Sequence, residues 1–557
     1  MSTNKNHGLS GKVFTFPAVL AMTAGSLAMP VYAFNLDTGN PDLEIRLDTT
    51  PKYTAGWRME GRDSRIAGSP NSDEGDYKFD KGDMVMNRLD ILSEFDFVYK
   101  GQYGGRVSAA GWYDHAYSDT DVEQSPSLAA QGWQSSYFGD KYSGSTRRYS
   151  EGPSGEFLDA FLFANLTLGD TPLNVKVGQH TIYWGSATFD FFGQGINYGQ
   201  APQDLRKAAS IPGITAKEIF IPVNQISFQS QVAPTLSLAA QYFLDWKPTR
   251  FSEGGTFFSG TDFLFDGPDQ FPLAPGFSVP REDALEPDDK HGSYGLSASW
   301  TPAFMEGGAL SAYYRQFDDP TPWLAPQILI NGGAPSEYRL VYPEDIKLFG
   351  VGANYNILGA SVGLDVSYRK NAPLVAAGVS LADNEGPRGD TLHALLNSVK
   401  VLEQTPFYDT GTLIAELSYS HLMSVTEHKE LFRGEGYGGC PTGSKDDGCA
   451  TQNFWGVGFQ FTPQWLQAFP GVDLSLPITT SYGISGNGAT SLSGSEGSYT
   501  YSVGLLADFY QKYKVQLTYA DSHSDINDVV DGVAVSGNGA YTTNDRGWLS
   551  LSLQTSF

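Results

Sequence analysis

Between residues 186 and 222 the chain sets Phe189, Phe191, Phe192 and Tyr198 ahead of Arg206 and Lys207, then runs into Ile211-Pro212-Gly213-Ile214. Aromatic rings beside guanidinium and ammonium groups can hold a flat solute by its faces while the cations orient or screen it. The segment is less polar than a loop facing bulk water. It reads as a constriction or ligand-gating element, and equally as a loop that packs a wall for stability alone. Residues 248–290 form a second such segment, with Phe257, Phe258, Phe263, Phe265 and Phe271 among many glycines and prolines. It offers a greasy entry site for an apolar solute, or aromatics that pack loops together.

Other chemistries find little support. Beyond residue 33 the histidines are His115, His180, His291, His393, His421, His428 and His523, and none lies in a nucleophile elbow or a His-Glu-x-x-His helix. No catalytic residue is assigned, and no cofactor is expected. Asp73-Glu74-Gly75-Asp76 and Asp528-Val529-Val530-Asp531-Gly532 could bind calcium with help from carbonyl oxygens. Solvated loop charge is the plainer account of both, and no metal site is assigned. Cys440 and Cys449 are the only cysteines, and they bracket a short polar loop. In an oxidising compartment that spacing reads as a disulfide.

These residues need a scaffold, and the C-terminus shows which. In Trp548-Leu549-Ser550-Leu551-Ser552-Leu553-Gln554-Thr555-Ser556-Phe557, Leu549, Leu551, Leu553 and Phe557 fall on one strand face and the small polar residues on the other. An alternating strand ending in an aromatic is how outer-membrane β-barrels usually close. The same period-2 pattern recurs along the chain, for example from Leu236 to Trp246 and from Tyr513 to Tyr519. Tight turns such as Gly169-Asp170-Thr171-Pro172 alternate with long loops rich in Gly, Ser, Asp and Tyr. From a first strand near Leu43 this layout predicts an all-β, transmembrane antiparallel β-barrel of about 18 strands, with 16 or 14 as alternatives. An even count puts both termini in the periplasm.

Two segments strain the pattern. Leu392 to Val401 looks partly helical by composition, but the loop alternation requires a strand there. Pro477 interrupts the run from Val472 to Ile484, and a bulge is expected at it. A barrel this wide cannot be filled by wall side chains, so infolded loops are expected to narrow it. Alternation turns Arg46, Arg88, Arg106, Lys176 and Arg369 inward, with Asp90, Glu94, Asp96, Asp159, Asp365 and Glu416. Such lumen charges tune a pore's selectivity or brace the wall by pairing across strands.

The N-terminus carries Lys5 and Lys12, a mostly apolar stretch, and Val31-Tyr32-Ala33, which reads as a signal peptide over residues 1–33. Residues 34–557 are then one outer-membrane barrel domain. Losing the two lysines takes the formal net charge from −26 to −28, which argues against a nucleic-acid partner. With 30 Tyr, 34 Phe and a mean hydropathy of −0.27, the chain is too polar for a helical membrane protein. The expected setting is the outer membrane of a Gram-negative bacterium. Expected partners are its lipid and lipopolysaccharide, a small-molecule solute, and periplasmic or inner-membrane transport proteins.

Val177-Gly178-Gln179-His180-Thr181-Ile182-Tyr183-Trp184-Gly185-Ser186 followed by Gly195-Ile196-Asn197, Ala216-Lys217-Glu218-Ile219-Phe220-Ile221-Pro222-Val223, Phe243-Leu244-Asp245-Trp246-Lys247-Pro248-Thr249 and Gly389-Asp390-Thr391-Leu392-His393-Ala394 carry a resemblance. They resemble a proteobacterial outer-membrane family catalogued as a domain of unknown function. Ser186-Ala187 stands where that family usually has Glu-Ser, and Gly199-Gln200-Ala201-Pro202 where Asn-Pro-Val-Asp is typical. The resemblance implies a barrel associated with catabolism or movement of hydrophobic compounds, sterol-like and aromatic ones included. A looser similarity is to alginate-export barrels. The reading is a channel for small, hydrophobic molecules that does no chemistry on them. Its competitors are polysaccharide export, an outer-membrane hydrolase, and a structural or adhesive barrel.

Overall fold

The computed structural model describes residues 34–210 and 219–557. Residues 1–33, read above as a signal peptide, and Ile211-Pro212-Gly213-Ile214 and Ala216-Lys217-Glu218 lie outside the described residues.

Eighteen antiparallel strands form one closed sheet. They are β1 (Leu43–Arg58), β2 (Met84–Tyr99), β3 (Tyr103–Asp114), β4 (Ser154–Leu168), β5 (Thr171–His180) and β6 (Val223–Ala233). Next come β7 (Leu236–Phe243), β8 (Tyr294–Trp300), β9 (Ala309–Phe317), β10 (Ile346–Ile357), β11 (Ala360–Pro373) and β12 (Arg388–Leu402). The circuit ends with β13 (Thr410–Glu427), β14 (Asn453–Phe469), β15 (Val472–Ser475 continued by Ile478–Ser485), β16 (Tyr499–Phe509), β17 (Tyr513–His523) and β18 (Trp548–Thr555). Each strand pairs with the next, and β18 returns to β1 from Lys52↔Gln554 to Arg58↔Trp548. Closure leaves no edge strand, which is what allows a sheet to stand in lipid. All short turns lie at one end with both termini, and all long loops at the other.

The outward face is apolar strand after strand. On β2, Leu89, Ile91 and Phe95 are exposed, while Arg88, next to Leu89, is buried on the lumen side. A one-residue slip would turn Arg88 and Asp90 into lipid, at about 2–4 kcal/mol for a cation at mid-depth, so the lipid pins the register. Exposed aromatics bound the apolar rows, as Tyr103 and Tyr113 do on β3. Ten residues at about 3.3 Å each, tilted by about 40°, set those two rings roughly 25 Å apart along the barrel axis. That is the height of a membrane-facing band.

The segment 388–402 is a strand, as the loop alternation requires. The bulge expected at Pro477 is absent. Gln464↔Ser475 and Phe461↔Ile478 keep one register on the β14 side, and Ser475↔Leu506 and Ile478↔Val503 keep one on the β16 side. No residue is inserted. The ladder skips Leu476 and Pro477, while the Pro477 carbonyl still accepts from Gly504 N–H at 2.8 Å. A bulge does occur in β4: between Ala160↔Val107 and Phe157↔Ala109 the strand carries one extra residue. This phase change leaves Phe157 and Leu162 outside and brings Phe161 inside, its ring 5.1 Å from Lys176 Nζ.

The long loops pack into a roof over one side of the mouth. Phe79 (loop 59–83), Tyr117, Tyr137 and Tyr142 (loop 115–153) and Phe257 (loop 244–293) form one buried cluster with Val85 and Trp548. Phe257 is fully buried, Phe258 lies edge-on to Trp548 at 5.1 Å, and Phe263 stacks on Phe271 at 4.1 Å. The aromatics of 248–290 thus bind loop to loop. Cys440 and Cys449 are disulfide-bonded in loop 428–452, with Cα atoms 5.9 Å apart.

Candidate functional site: an infolded strap and the lumen wall

The loop after β5 leaves the wall at His180 and lies inside the barrel. Its first stretch, 184–200, is held by side chains from strands far along the circuit. Asp365 (β11) accepts Ser186 N–H at 2.7 Å. One oxygen of Glu416 (β13) accepts the amides of Thr188 and Phe189 at 2.7 and 2.8 Å, and the other that of Asp190 at 3.0 Å. Arg369 (β11) donates to the carbonyls of Gly193 and Gly195, and Arg315 (β9) to those of Ile196 and Tyr198. Asn397 and His393 of β12 add bonds to Ser186 O and Gln194. Buried charges that meet several backbone partners give stable geometry, whereas leaving one unpaired is costly.

Apolar contacts lock the same stretch. Phe191 lies over Gly458 and Phe192 over Gly456, both on β14, so close that a Cβ on either glycine would collide with a ring. Phe192 is also edge-on to Phe454 at 5.2 Å. Tyr198 sits under the Arg369 guanidinium, 3.9 Å from ring centre to carbon, and its hydroxyl donates to Asp319. β5 and β14 are nine strands apart either way round the closed sheet. The strap therefore reaches the far wall.

Arg206 and Lys207 are elsewhere. They lie on a short helix, α1 (Leu205–Ser210), against the outer ends of β3 and β4. Arg206 pairs with Asp204 at 2.7 Å and stacks on Tyr149 at 3.6 Å. Lys207 pairs with Glu156 at 2.8 Å, and Arg250 meets the same carboxylate at 2.6 Å. The structure thus splits the six strap residues: Phe189, Phe191, Phe192 and Tyr198 on the β9–β14 side, and Arg206 and Lys207 across the lumen.

The inward charges divide likewise. Arg369, Asp365 and Glu416 sit behind the strap as its anchors. The rest line β1 to β5. There Arg46 pairs with Asp48 at 2.6 Å, Arg88 with Asp90 at 2.9 Å, and Arg106 with Asp96 at 2.6 Å and Glu94 at 3.6 Å. Lys176 feels the field of Asp159. The arginines of this wall are each matched by a carboxylate, and no bare basic stripe runs along it.

Histidine chemistry is sparse. His180 Nε2 is 2.9 Å from Ser227 Oγ, but its Nδ1 meets the Gly178 carbonyl at 2.9 Å where a catalytic triad would place an acid. His393 meets Thr391 Oγ1 and Gln194. Among the described residues no three His, Cys, Asp or Glu side chains are grouped to hold a metal ion.

The sequence reading missed the core of the roof. Asp73, Glu74 and Asp76 are buried, not solvated, whereas Asp528 and Asp531 are exposed as expected. Asp73 accepts Ser125 N–H at 2.7 Å, Glu74 accepts Ser136 N–H at 2.6 Å, and Asp262 accepts Glu74 N–H at 3.1 Å. Asp76 pairs with both Arg58 and Arg546. Counting Asp545, five buried carboxylates share two buried guanidiniums. Burial, then the charge of Asp262, pushes Asp73 up to about 8; burial pushes Asp262 up to about 7; Glu74 rises too, for the same reason.

The barrel with its strap and roof matches the family described as Protein of unknown function (DUF1302) over residues 15–557. The chain belongs to the DUF1302 family. A comparison with curated proteins finds no match. Among solved structures this DUF1302 barrel is similar to OccAB2 of Acinetobacter baumannii, with 10% identity, a TM-score of 0.41, and 92% of this chain and 98% of that one covered. It is similar to OccD3 (OpdP) of Pseudomonas aeruginosa, with 10% identity, a TM-score of 0.40, and 95% of each chain covered. The outer membrane channel DcaP of Acinetobacter baumannii follows at 11% identity and a TM-score of 0.36, with 92% and 97% covered. No residue role or substrate is carried over from them.

Proposed function

We propose that this protein is an outer-membrane channel that passes small, hydrophobic molecules without altering them. In this reading the short turns and both termini face the periplasm and the roof faces the exterior. The observation that carries it is the strap: a segment clamped at mid-depth by Asp365, Glu416, Arg369 and Arg315 narrows the lumen toward the β1–β5 wall. A structural barrel needs no such throat. Polyanion export would need free cations along the lumen, and the β1–β5 arginines are already ion-paired. A hydrolase would need an acid behind a histidine that faces a nucleophile, and His180 has a carbonyl there.

The test is single-channel conductance of the refolded protein, intact and with residues 194–207 deleted, in the presence of sterols, aromatics and uronic-acid oligomers. Deletion raises conductance, and apolar ligands block the intact channel more strongly than the oligomers. Equal conductance for both proteins would remove the strap from the passage. Block by the oligomers alone would replace the solute class.

A further inference from the structure

The short-turn end of the barrel is apolar along one side of its rim. Going round from β8 to β17, the five turns are 301–308, 358–359, 403–409, 470–471 and 510–512. Phe304, Leu358, Phe407 and Tyr510 lie in four of them and are 77, 92, 81 and 76% exposed, and Phe469, 62% exposed, leads into the fifth. The turns from β2 to β7 are 100–102, 169–170 and 234–235, and they present Lys100, Gln102, Asp170 and Thr235 instead. Leu168, 64% exposed, ends β4 beside the second of these.

Three turns allow a like-for-like comparison. Lys100, Leu358 and Tyr510 each stand first after their strand, with φ of 55°, 53° and 54°. A left-handed backbone favours Gly, Asn or Asp, and nothing in the turn itself calls for a large apolar side chain there. Water around the tip suits Lys100. Leucine and tyrosine at the same position, left uncovered by the rest of the chain, point to a different medium.

These turns are tied to the outward face of the wall. Phe304 lies edge-on to Trp300 at 5.8 Å, and Met305 and Tyr355 close over Gly308. Trp465 Nε1 donates to the Phe407 carbonyl at 2.7 Å. Trp300, Tyr355 and Trp465 share the strand phase of the exposed Leu296, Val351 and Phe459, so all three face outward. The ring of Tyr510 lies over Gly471 and joins the last two turns to each other. The apolar tips therefore continue the membrane-facing band past its aromatic edge.

We propose that this side of the rim is a phospholipid-binding surface. The turns from β8 to β17 insert into the headgroup and upper acyl region of the leaflet on the short-turn side, while the turns from β2 to β7 stay in water. Phospholipid is the partner because the surface is continuous with a wall that lipid already covers, and because its aromatic and aliphatic tips suit that interface. The inference rests on the reading of the chain as a membrane barrel. The barrel is then held with its β8–β17 side deeper than its β2–β7 side. The deeper side includes β9 to β14, the wall that anchors the strap.

The test is the immersion depth of single nitroxide labels. Cys440 and Cys449 are bonded to each other, so an introduced cysteine is the one labelling site. Leu358→Cys, Phe407→Cys, Gln102→Cys and Asp170→Cys report on the rim, and Val351→Cys on the outward wall. Each labelled protein is refolded into vesicles of phosphatidylethanolamine and phosphatidylglycerol, and heat-dependent gel mobility checks the barrel. Oxygen, which concentrates in lipid, relaxes the labels at 351, 358 and 407 more than a water-soluble nickel chelate does, and the order reverses at 102 and 170. Nickel-dominated relaxation at 358 and 407, beside a lipid-like label at 351, would overturn the inference and keep the membrane barrel. Lipid-like labels at all four rim positions would overturn its one-sidedness. A water-like label at 351 would bring down the membrane reading and the inference together.

Discussion

The carboxylate of Glu416, on β13, accepts the backbone amide of Phe189 at 2.8 Å. A wall residue thereby fixes the position of a strap residue by its main chain, leaving the phenyl ring free to be placed by packing against Phe191 at 4.9 Å. Truncating the carboxylate leaves three amides without an acceptor, each costing about 1–3 kcal/mol while buried. Glu416→Ala should therefore keep the barrel folded and free the strap from β13. Single-channel recordings then show larger, noisier currents than the parent protein. Currents of unchanged size and noise would mean that Glu416 does not hold the throat.

The roof should be weakened by alkali. Asp73 at about 8 and Asp262 at about 7 keep their protons when the roof is closed, whereas in an open, hydrated roof they would ionise near the ordinary value of about 4. Closing therefore takes up protons. This contribution to stability is full below about pH 4, declines as pH rises, and is lost above about pH 8. Limited proteolysis of loop 115–153 should be faster at pH 9 than at pH 5, and Glu74→Gln should flatten the difference. Protection that rises with pH would reverse the sign and sink the idea.

The disulfide should be local. Replacing Cys440 and Cys449 by Ser removes a short crosslink worth about 2–3 kcal/mol in a loop outside the sheet. Heat-dependent gel mobility of the membrane-assembled barrel stays as it is, and protease cuts appear within residues 428–452. Failure of the whole barrel to assemble would show that this loop takes part in closing the wall.

Selectivity follows from the uncovered wall. Facing the lumen from β1 to β3, Glu44, Asp48, Asp90, Glu94, Asp96 and Asp114 outnumber Arg46, Lys52, Arg58, Arg88 and Arg106 by one. Reversal potentials in a salt gradient should show preference for cations, and a Glu94→Gln, Asp96→Asn double variant should shift them toward anions. An anion-selective parent channel would contradict the charge assignment.

Much of the architecture could be read from local pattern. Alternation in Tyr513 to Tyr519 and in the last ten residues is a property of neighbours in sequence, so strand number and loop side follow from it. Even the strand at 388–402 was required by the side on which the cysteine loop must lie. Pro477 defied the local rule because β14 and β16 hold one register across it. The aromatic density of 186–222 marked the strap, but not its anchors: Asp365 and Glu416 look like any inward strand acids until the loop is seen beneath them. The buried acids 73–76 were invisible for the same reason, since Asp262 and Arg546, which make their burial tolerable, lie far along the chain.

The strap also constrains the order in which the molecule can be built. Ser186 meets its anchor 179 positions later, Thr188 meets Glu416 at a separation of 228, and Gln194 meets Ser493 at 299. Each of these partners lies on a later strand or in a later outer loop, so the strap can be held only once those elements are in place. When β5 is complete the strap has nothing to hold. A refolding time course should show the sheet forming before Phe192 is shielded, so that the barrel begins wide and acquires its throat at the end.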